Sequence, residues 1–401
     1  MNILLVAYAC EPNKGSEPEV GWQNAIHIAN LFPNDSVYVI TRSNNEISIN
    51  ASPYPKNIIF LYYDLPKTYT FWKKKSRGVR TYYYFWMIFS SNMIARLSIK
   101  FDVIHHITFV NDWLPSFFIR NKSKHTEFIW GPVGSNDPMP IMFLDKKDIA
   151  IDKIKHLIQW LFRSFNLNFY RTKNKADVVI GINENIGKKI RVSRKCKFVS
   201  MPAIAIECNT NRALIKKDGN KSVYNVLYIG GNHPIKNFKT AKDAFLLLKK
   251  KYSGEVLLTV VGSGFDNRID FQNNIQYMGY VDKKNIESLY EESSIFLYPT
   301  LENAGLVILE AMSYKLPVVS LLYGGPASVI NSNRDLQLVC IQFKDREQVI
   351  ESLSDKLLFF AENIEASKEV GDNNYKNACN KLSWSMKANF YLEHYKREGF
   401  E

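Results

Sequence analysis

Two carboxylates and one lysine carry the most explicit chemistry in this sequence. The run Pro299-Thr300-Leu301-Glu302-Asn303-Ala304-Gly305-Leu306-Val307-Ile308-Leu309-Glu310 reads as a strand end, a loop bearing Glu302, and a helix starting near Gly305 with Glu310 inside it. Amides exposed at a helix start suit a phosphate group. Eight residues of helix-like rise separate the carboxylates by up to about 12 Å. That exceeds the roughly 5 Å of a retaining glycosidase pair. Carboxylates so placed suit gripping hydroxyls at opposite ends of one ligand; the plainer alternative is a capped amphipathic helix with a solvent-facing Glu310. A second strand and glycine turn, Tyr228-Ile229-Gly230-Gly231-Asn232-His233-Pro234-Ile235-Lys236-Asn237, puts Lys236 at a helix start. A cation there can neutralise a phosphate group; the alternative is a surface lysine. Val260-Val261-Gly262-Ser263-Gly264 either holds phosphate or only turns tightly. In the first half, the loop Glu11–Pro18 follows the first strand, and its Gly15 lets backbone approach a ligand closely. Asp102-Val103-Ile104-His105-His106 ends another strand. Adjacent strand residues point to opposite faces, so only one of His105 and His106 readily faces a ligand, and a buried structural histidine is the alternative for each.

The stretch from Glu302 to Glu310 resembles the Glu-x7-Glu motif of retaining GT-B glycosyltransferases, family four. Its continuation Ala311-Met312-Ser313-Tyr314-Lys315-Leu316-Pro317-Val318-Val319 is similar to the family's usual run, as is Gly324-Gly325. The resemblance implies an α/β chain of GT-B type, two Rossmann-like domains facing a central cleft. It implies an enzyme moving a sugar from a UDP- or GDP-linked donor to a glycan or lipid-linked acceptor with retention, in bacterial surface polysaccharide synthesis. On the same ground Glu302 binds donor-sugar hydroxyls, Glu310 binds the ribose, and amides of Asn303, Ala304, Gly305 and Leu306 touch the diphosphate. Gly230, Gly231 and Gly262 fall in donor-side turns, and Met278-Gly279-Tyr280-Val281 resembles the segment whose backbone reads the base. Gly15 matches the glycine of the loop that approaches the donor phosphate, and one of His105 and His106 matches a histidine that contacts the donor sugar. Thr41-Arg42-Ser43-Asn44 and Trp130-Gly131-Pro132-Val133-Gly134 resemble one subgroup. One position departs: the family usually has an Arg where Gly231 stands. Either His233 or another base replaces it, or the diphosphate is held with one cation fewer. The mechanism described for retaining members is front-face attack assisted by the leaving phosphate, so no protein nucleophile is implied. A nucleotide-sugar epimerase, or a binding protein with impaired catalysis, is the alternative.

Such loops need sheets to hold them. Strand-like runs at Asn2–Tyr8, Ser36–Thr41, Ile58–Tyr62, Val103–His106, Phe128–Gly131 and Asp177–Ile182 alternate with helix-like stretches, as parallel α/β chains do. A second series runs through Tyr224–Gly230, Val256–Gly262, Ile275–Tyr277, Ser294–Pro299 and Pro317–Ser320, with helices expected over Glu19–Leu31, Asn237–Tyr252, Asn285–Glu292 and Gly305–Tyr314. The expected division is an acceptor-binding domain over 1–200, a linker over 201–222, a nucleotide-sugar-binding domain over 223–375, and a C-terminal helix over 376–401 crossing back to the first domain. With 401 residues, 46% of them hydrophobic, the chain can fill two cores.

The formal charge of +13 favours anionic partners. Five scattered cysteines, none in a C-x-x-C pair, argue against a disulfide framework and a zinc site. No Asp-x-Asp or clustered ligand set accompanies the motifs, so neither a metal nor a further cofactor is expected. The N-terminal apolar run is too short for a signal peptide, and no stretch reaches the roughly 18 apolar residues that cross a bilayer. Within Lys67–Lys100, Trp72, Lys73, Lys74, Lys75, Arg77, Arg80, Phe85 and Trp86 interleave aromatics with cations. That pattern suits an anionic membrane surface, single-stranded nucleic acid, or a core helix with a solvated basic end. Given a lipid-linked acceptor, the membrane is favoured over nucleic acid, and the expected location is the cytoplasm, on the inner face of the cell membrane.

Overall fold

The computed structural model describes residues 1–73, 78–135, 137–203, 205–207, 223–303 and 305–395. The chain forms two compact units, one of Met1–Ser135, Lys155–Ala203 and the segment from Lys387, the other of Asn136–Ile154 and Ile204–Met386. Most of the expected linker lies outside the described residues.

The first unit is built on a seven-stranded parallel sheet. Its strands are β1 (Asn2–Val6), β2 (Ser36–Thr41), β3 (Ile58–Tyr62), β4 (Val103–His106), β5 (Glu127–Val133), β6 (Val178–Gly181) and β7 (Lys197–Ser200), in the order β3-β2-β1-β4-β5-β6-β7. The central strands are Ile/Leu/Val-rich and buried almost throughout, as covering on both faces of a parallel sheet requires.

On one side lies the helix Val79–Ala95, which the left-handed Gly78 starts. Tyr82, Tyr83, Trp86 and Met87 are buried in it, and Tyr8 meets Tyr83 and Trp86 edge-on at 5.0 and 5.2 Å. Trp86 Nε1 donates to the Tyr63 carbonyl at 2.7 Å. This corrects the expectation that Trp86 enters a lipid headgroup layer: it is core. Of the other residues named for that role, Trp72 is half-buried and Phe85 is exposed. Lys73 lies 4.6 Å from the Tyr82 ring and Arg80 5.6 Å from the Phe109 ring. Lys74, Lys75 and Arg77 lie outside the described residues.

The second unit repeats the plan. Strands β8 (Val223–Ile229), β9 (Glu255–Val261), β10 (Arg268–Asp270), β11 (Ile275–Gly279), β12 (Ile295–Leu297), β13 (Val318–Leu321) and β14 (Leu338–Val339) order as β10-β11-β9-β8-β12-β13-β14. Every pair is parallel except β10 with β11. Helices Phe238–Lys251, Lys283–Glu292 and Leu306–Ser313 follow β8, β11 and β12, and two more cover Arg346–Glu362 and Ile364–Lys381; a last helix, Trp384–His394, lies mostly in the segment of the first unit from Lys387. No helix among the described residues is long and apolar enough to cross a membrane. Cys10, Cys196 and Cys340 are free thiols, whereas Cys379 is disulfide-bonded. Separation along the chain therefore did not exclude a bridge, because bonding depends on distance in space.

Truncating the buried indole in Trp86→Ala should cost about 3–5 kcal/mol, read as a lower urea midpoint at unchanged slope. A wild-type midpoint would return this helix to the surface.

Candidate active site

Strands β8 and β12 are neighbours, pairing Val226 with Ile295 and Leu227 with Phe296. The loops that leave their carboxyl ends therefore run side by side. Backbone and side chain stitch them: Leu301 N donates to the Ile235 carbonyl at 2.8 Å, Thr300 Oγ1 to the same carbonyl at 3.2 Å, and Asn237 Nδ2 to the Pro299 carbonyl at 2.9 Å. This brings Lys236 Nζ to 2.7 Å from Glu302 Oε2 across 66 residues of sequence. Tyr298 donates its hydroxyl to the same oxygen at 3.0 Å. Burial, then the Glu302 charge, pushes the Tyr298 phenol far above its usual range, so it acts as a neutral donor. Neither strand-end tyrosine was read from the sequence: Tyr228, also raised by burial, donates to the Lys236 carbonyl at 3.1 Å.

The backbone of Glu302 is clasped as well. Gly325 N donates to its carbonyl at 2.7 Å. Gly324 has φ 55°, and a Cβ there would lie 2.3 Å from the Glu302 carbonyl oxygen, so the close approach requires glycine. Beyond Glu302, the helix Leu306–Ser313 starts at Gly305, and among the described residues no side chain caps it. Its first-turn amides are the donors a helix start leaves for a ligand. Glu310 sits one turn before the end of that helix, where Tyr290 donates to its Oε2 at 3.1 Å. Asn303 is half-buried in the loop, and Ala304 is outside the described residues.

The glycine turns pack together. Gly262 has φ 149°, and a Cβ on it would meet the Gly230 carbonyl oxygen at 2.2 Å, so the loops after β8 and β9 touch through backbone. Gly231 carries no such backbone demand; a Cβ there meets Ser263 Oγ at 2.9 Å. His233 caps the short turn holding Lys236, its Nδ1 accepting from Ile235 N at 3.3 Å. Tyr280 stands exposed just past β11.

The chain is similar to known proteins. Residues 223–358 match the family model of glycosyl transferases group 1. The O-antigen chain mannosyltransferase B of Escherichia coli is 35% identical over 103 residues, 23% of this chain and 27% of that one. A 41.2 kDa uncharacterized protein of the cps region of Klebsiella pneumoniae is 27% identical over 309 residues, 74% of this chain and 79% of that one. The solved structure of WaaG, a glycosyltransferase involved in lipopolysaccharide biosynthesis, superposes over 99% of this chain and 100% of its own at a TM-score of 0.61 and 15% identity.

The chain is a glycosyltransferase of the GT-B fold.

The epimerase and binding-protein alternatives are not favoured by these matches. In the first unit of the glycosyltransferase, Gly15 precedes the helix Ser16–Leu31 at φ 66°, with nothing within 4 Å of where a Cβ would stand. A side chain there is opposed by backbone conformation, not by crowding. The two histidines are another matter. Their side chains lie on opposite faces of β4, as alternation demands, yet both are buried. His105 Nε2 donates to the Gly131 carbonyl at 2.8 Å, and Nδ1 accepts from the Tyr395 hydroxyl at 2.6 Å. His106 pairs through Nε2 with the Tyr83 hydroxyl at 2.7 Å and through Nδ1 with Ser116 Oγ at 2.8 Å. All four ring nitrogens are engaged inside the protein, and neither ring reaches an open surface here.

Burial lowers both imidazoles to a pKa of about 3. The folded glycosyltransferase therefore keeps them neutral, while the unfolded chain protonates them near pH 6.5. Their stabilising contribution is complete above pH 6.5 and is lost as pH falls toward 3. Each should cost about 1.4 kcal/mol per pH unit in that window. Urea denaturation at pH 7, 6 and 5 measures this, and His105→Gln should flatten the dependence. A flat wild-type profile would contradict the burial.

Proposed function

We propose that this glycosyltransferase takes its sugar from a UDP- or GDP-linked donor and passes it, with retention, to a glycan or lipid-linked acceptor on the cytoplasmic side of the membrane in surface polysaccharide synthesis. The carrying observation is the Lys236–Glu302 pair at the strand ends, beside a helix start that no side chain caps among the described residues. As the bond from sugar to phosphate breaks, negative charge grows on the leaving diphosphate. Lys236 and the amides of Gly305 and Leu306 would stabilise that charge in place. A diphosphate beside Lys236 competes with Glu302 for the ammonium, which frees the carboxylate to accept donor-sugar hydroxyls. Glu310, to which Tyr290 donates, would accept from the ribose. The proton of the acceptor hydroxyl passes to the departing phosphate, so no protein nucleophile is needed. The names of the two relatives found in O-antigen and capsule contexts support the polysaccharide setting. Transfer proceeds without a metal in this reading, the lysine and amides supplying the charge that a metal supplies elsewhere.

Glu310→Ala should weaken donor binding about tenfold or more, because a charged acceptor loses its hydrogen bonds. Glu302→Ala should instead lower kcat with a smaller effect on nucleotide affinity. Calorimetric donor titration and steady-state rates separate the two, and unaltered kinetics in both variants would sink the assignment.

Treatment with a chelator should leave the rate unchanged. Activity lost to the chelator and restored by magnesium or manganese would refute the metal-independent reading.

A further inference from the structure

The helix Lys146–Phe165 is turned inside out. In the part belonging to the first unit, the residues facing the protein are polar. Gln159 is buried, and Arg163 pairs at 3.1 Å with the buried carboxylate of Asp112, which Lys189 also reaches at 3.1 Å. Ser135 Oγ donates to the same carboxylate at 3.0 Å. The residues facing outward are apolar: Leu157 is 57% exposed, Ile158 45%, Leu161 42% and Phe165 71%. They recur at spacings of three and four, which makes one continuous stripe along the helix. Leu167, just past its end, is 82% exposed. Phe162 anchors the edge of the stripe against Trp113 at 5.5 Å and Tyr84 at 6.2 Å, and Trp160 meets Phe165 edge-on at 6.0 Å.

Single exposed leucines are ordinary, but a contiguous apolar stripe over a polar underside marks a surface that something covers. The charges around it choose the occupant. Arg171 and Lys175 are exposed beyond the stripe, on a chain of net charge +13. A second copy docked by two-fold symmetry would bring like charges together. An anionic bilayer takes up both the apolar side chains and the cations. We propose that the stripe Leu157–Leu167 lies in the headgroup layer of an anionic membrane and docks the first unit there, the helix lying in the plane of the surface. It replaces the aromatic segment containing Trp86 as the docking element.

Vesicle sedimentation without donor or acceptor tests this independently of sugar transfer. The full chain should bind vesicles of phosphatidylglycerol and phosphatidylethanolamine, bind phosphatidylcholine vesicles weakly, and lose binding as salt rises. Leu161→Glu combined with Phe165→Glu should cut binding to anionic vesicles by at least about a hundredfold, with donor binding unchanged. Brominated lipid should quench wild-type tryptophan fluorescence, and Trp160→Phe should remove that quenching even if the double variant folds poorly. Failure to bind anionic vesicles overturns the inference. So does a double variant that binds like wild type, or a lipid-free dimer that the double variant dissociates.

Discussion

The second unit depends on two loops being held against one another at the ends of β8 and β12. The carbonyl of Ile235 accepts from both Leu301 N and Thr300 Oγ1, and Asn237 closes the junction onto Pro299. Only with that junction shut can Lys236 meet Glu302. The pair is about three-quarters buried, at 27% and 24% side-chain exposure. A lone charge at that depth is costly, and its partner offsets the loss of water. The proposed reaction draws on the same electrostatics. In the proposed reaction a diphosphate would be a stronger partner for the ammonium than a single carboxylate, so binding would exchange one pairing for another and never expose an unpaired lysine. Tyr298, kept neutral by burial, donates to the same Glu302 oxygen that Lys236 pairs with.

The first unit uses polar residues differently. Its two strand-end histidines are structural ties: one joins β4 to β5 at Gly131 and to the C-terminal segment through Tyr395, the other joins it to the helix Val79–Ala95 through Tyr83. Buried hydrogen bonds of this kind specify which elements pack together, since leaving any partner unsatisfied is expensive. Gly15, at φ 66°, starts the helix Ser16–Leu31 after β1. In the helix Lys146–Phe165 the ordinary rule is reversed, with ion-paired and amide groups inside and leucines outside. The Arg163–Asp112 ion pair lies on that inward polar face.

The strands of the central sheet were legible because runs of Val, Ile, Leu and Tyr between turn residues have few other uses; Ser36–Thr41, Ile58–Tyr62 and Val103–His106 begin and end where the sequence implied. Strands β10 and β14, three and two residues long, were missed, since alternation has no meaning over so short a run. The helix Leu306–Ser313 with its glutamates was legible from the turn before it and the apolar spacing within it.

Sequence alone determined that two parallel α/β sheets would form, and which loops would carry lysine, glutamate and glycine, because periodicity and turn chemistry are local properties. Partnership was decided only in three dimensions. That Lys236 meets Glu302, that Tyr298 completes the set, and that Gly324 makes room for the Glu302 backbone all follow from strand order, which joins segments far apart in the chain. Exposure was decided there too. Trp86 and Phe165 are both large aromatics near basic residues, yet one is sealed in the core and the other stands in water. Side-chain type sets the free energy of burial, and only the packing of neighbouring elements determines whether burial occurs.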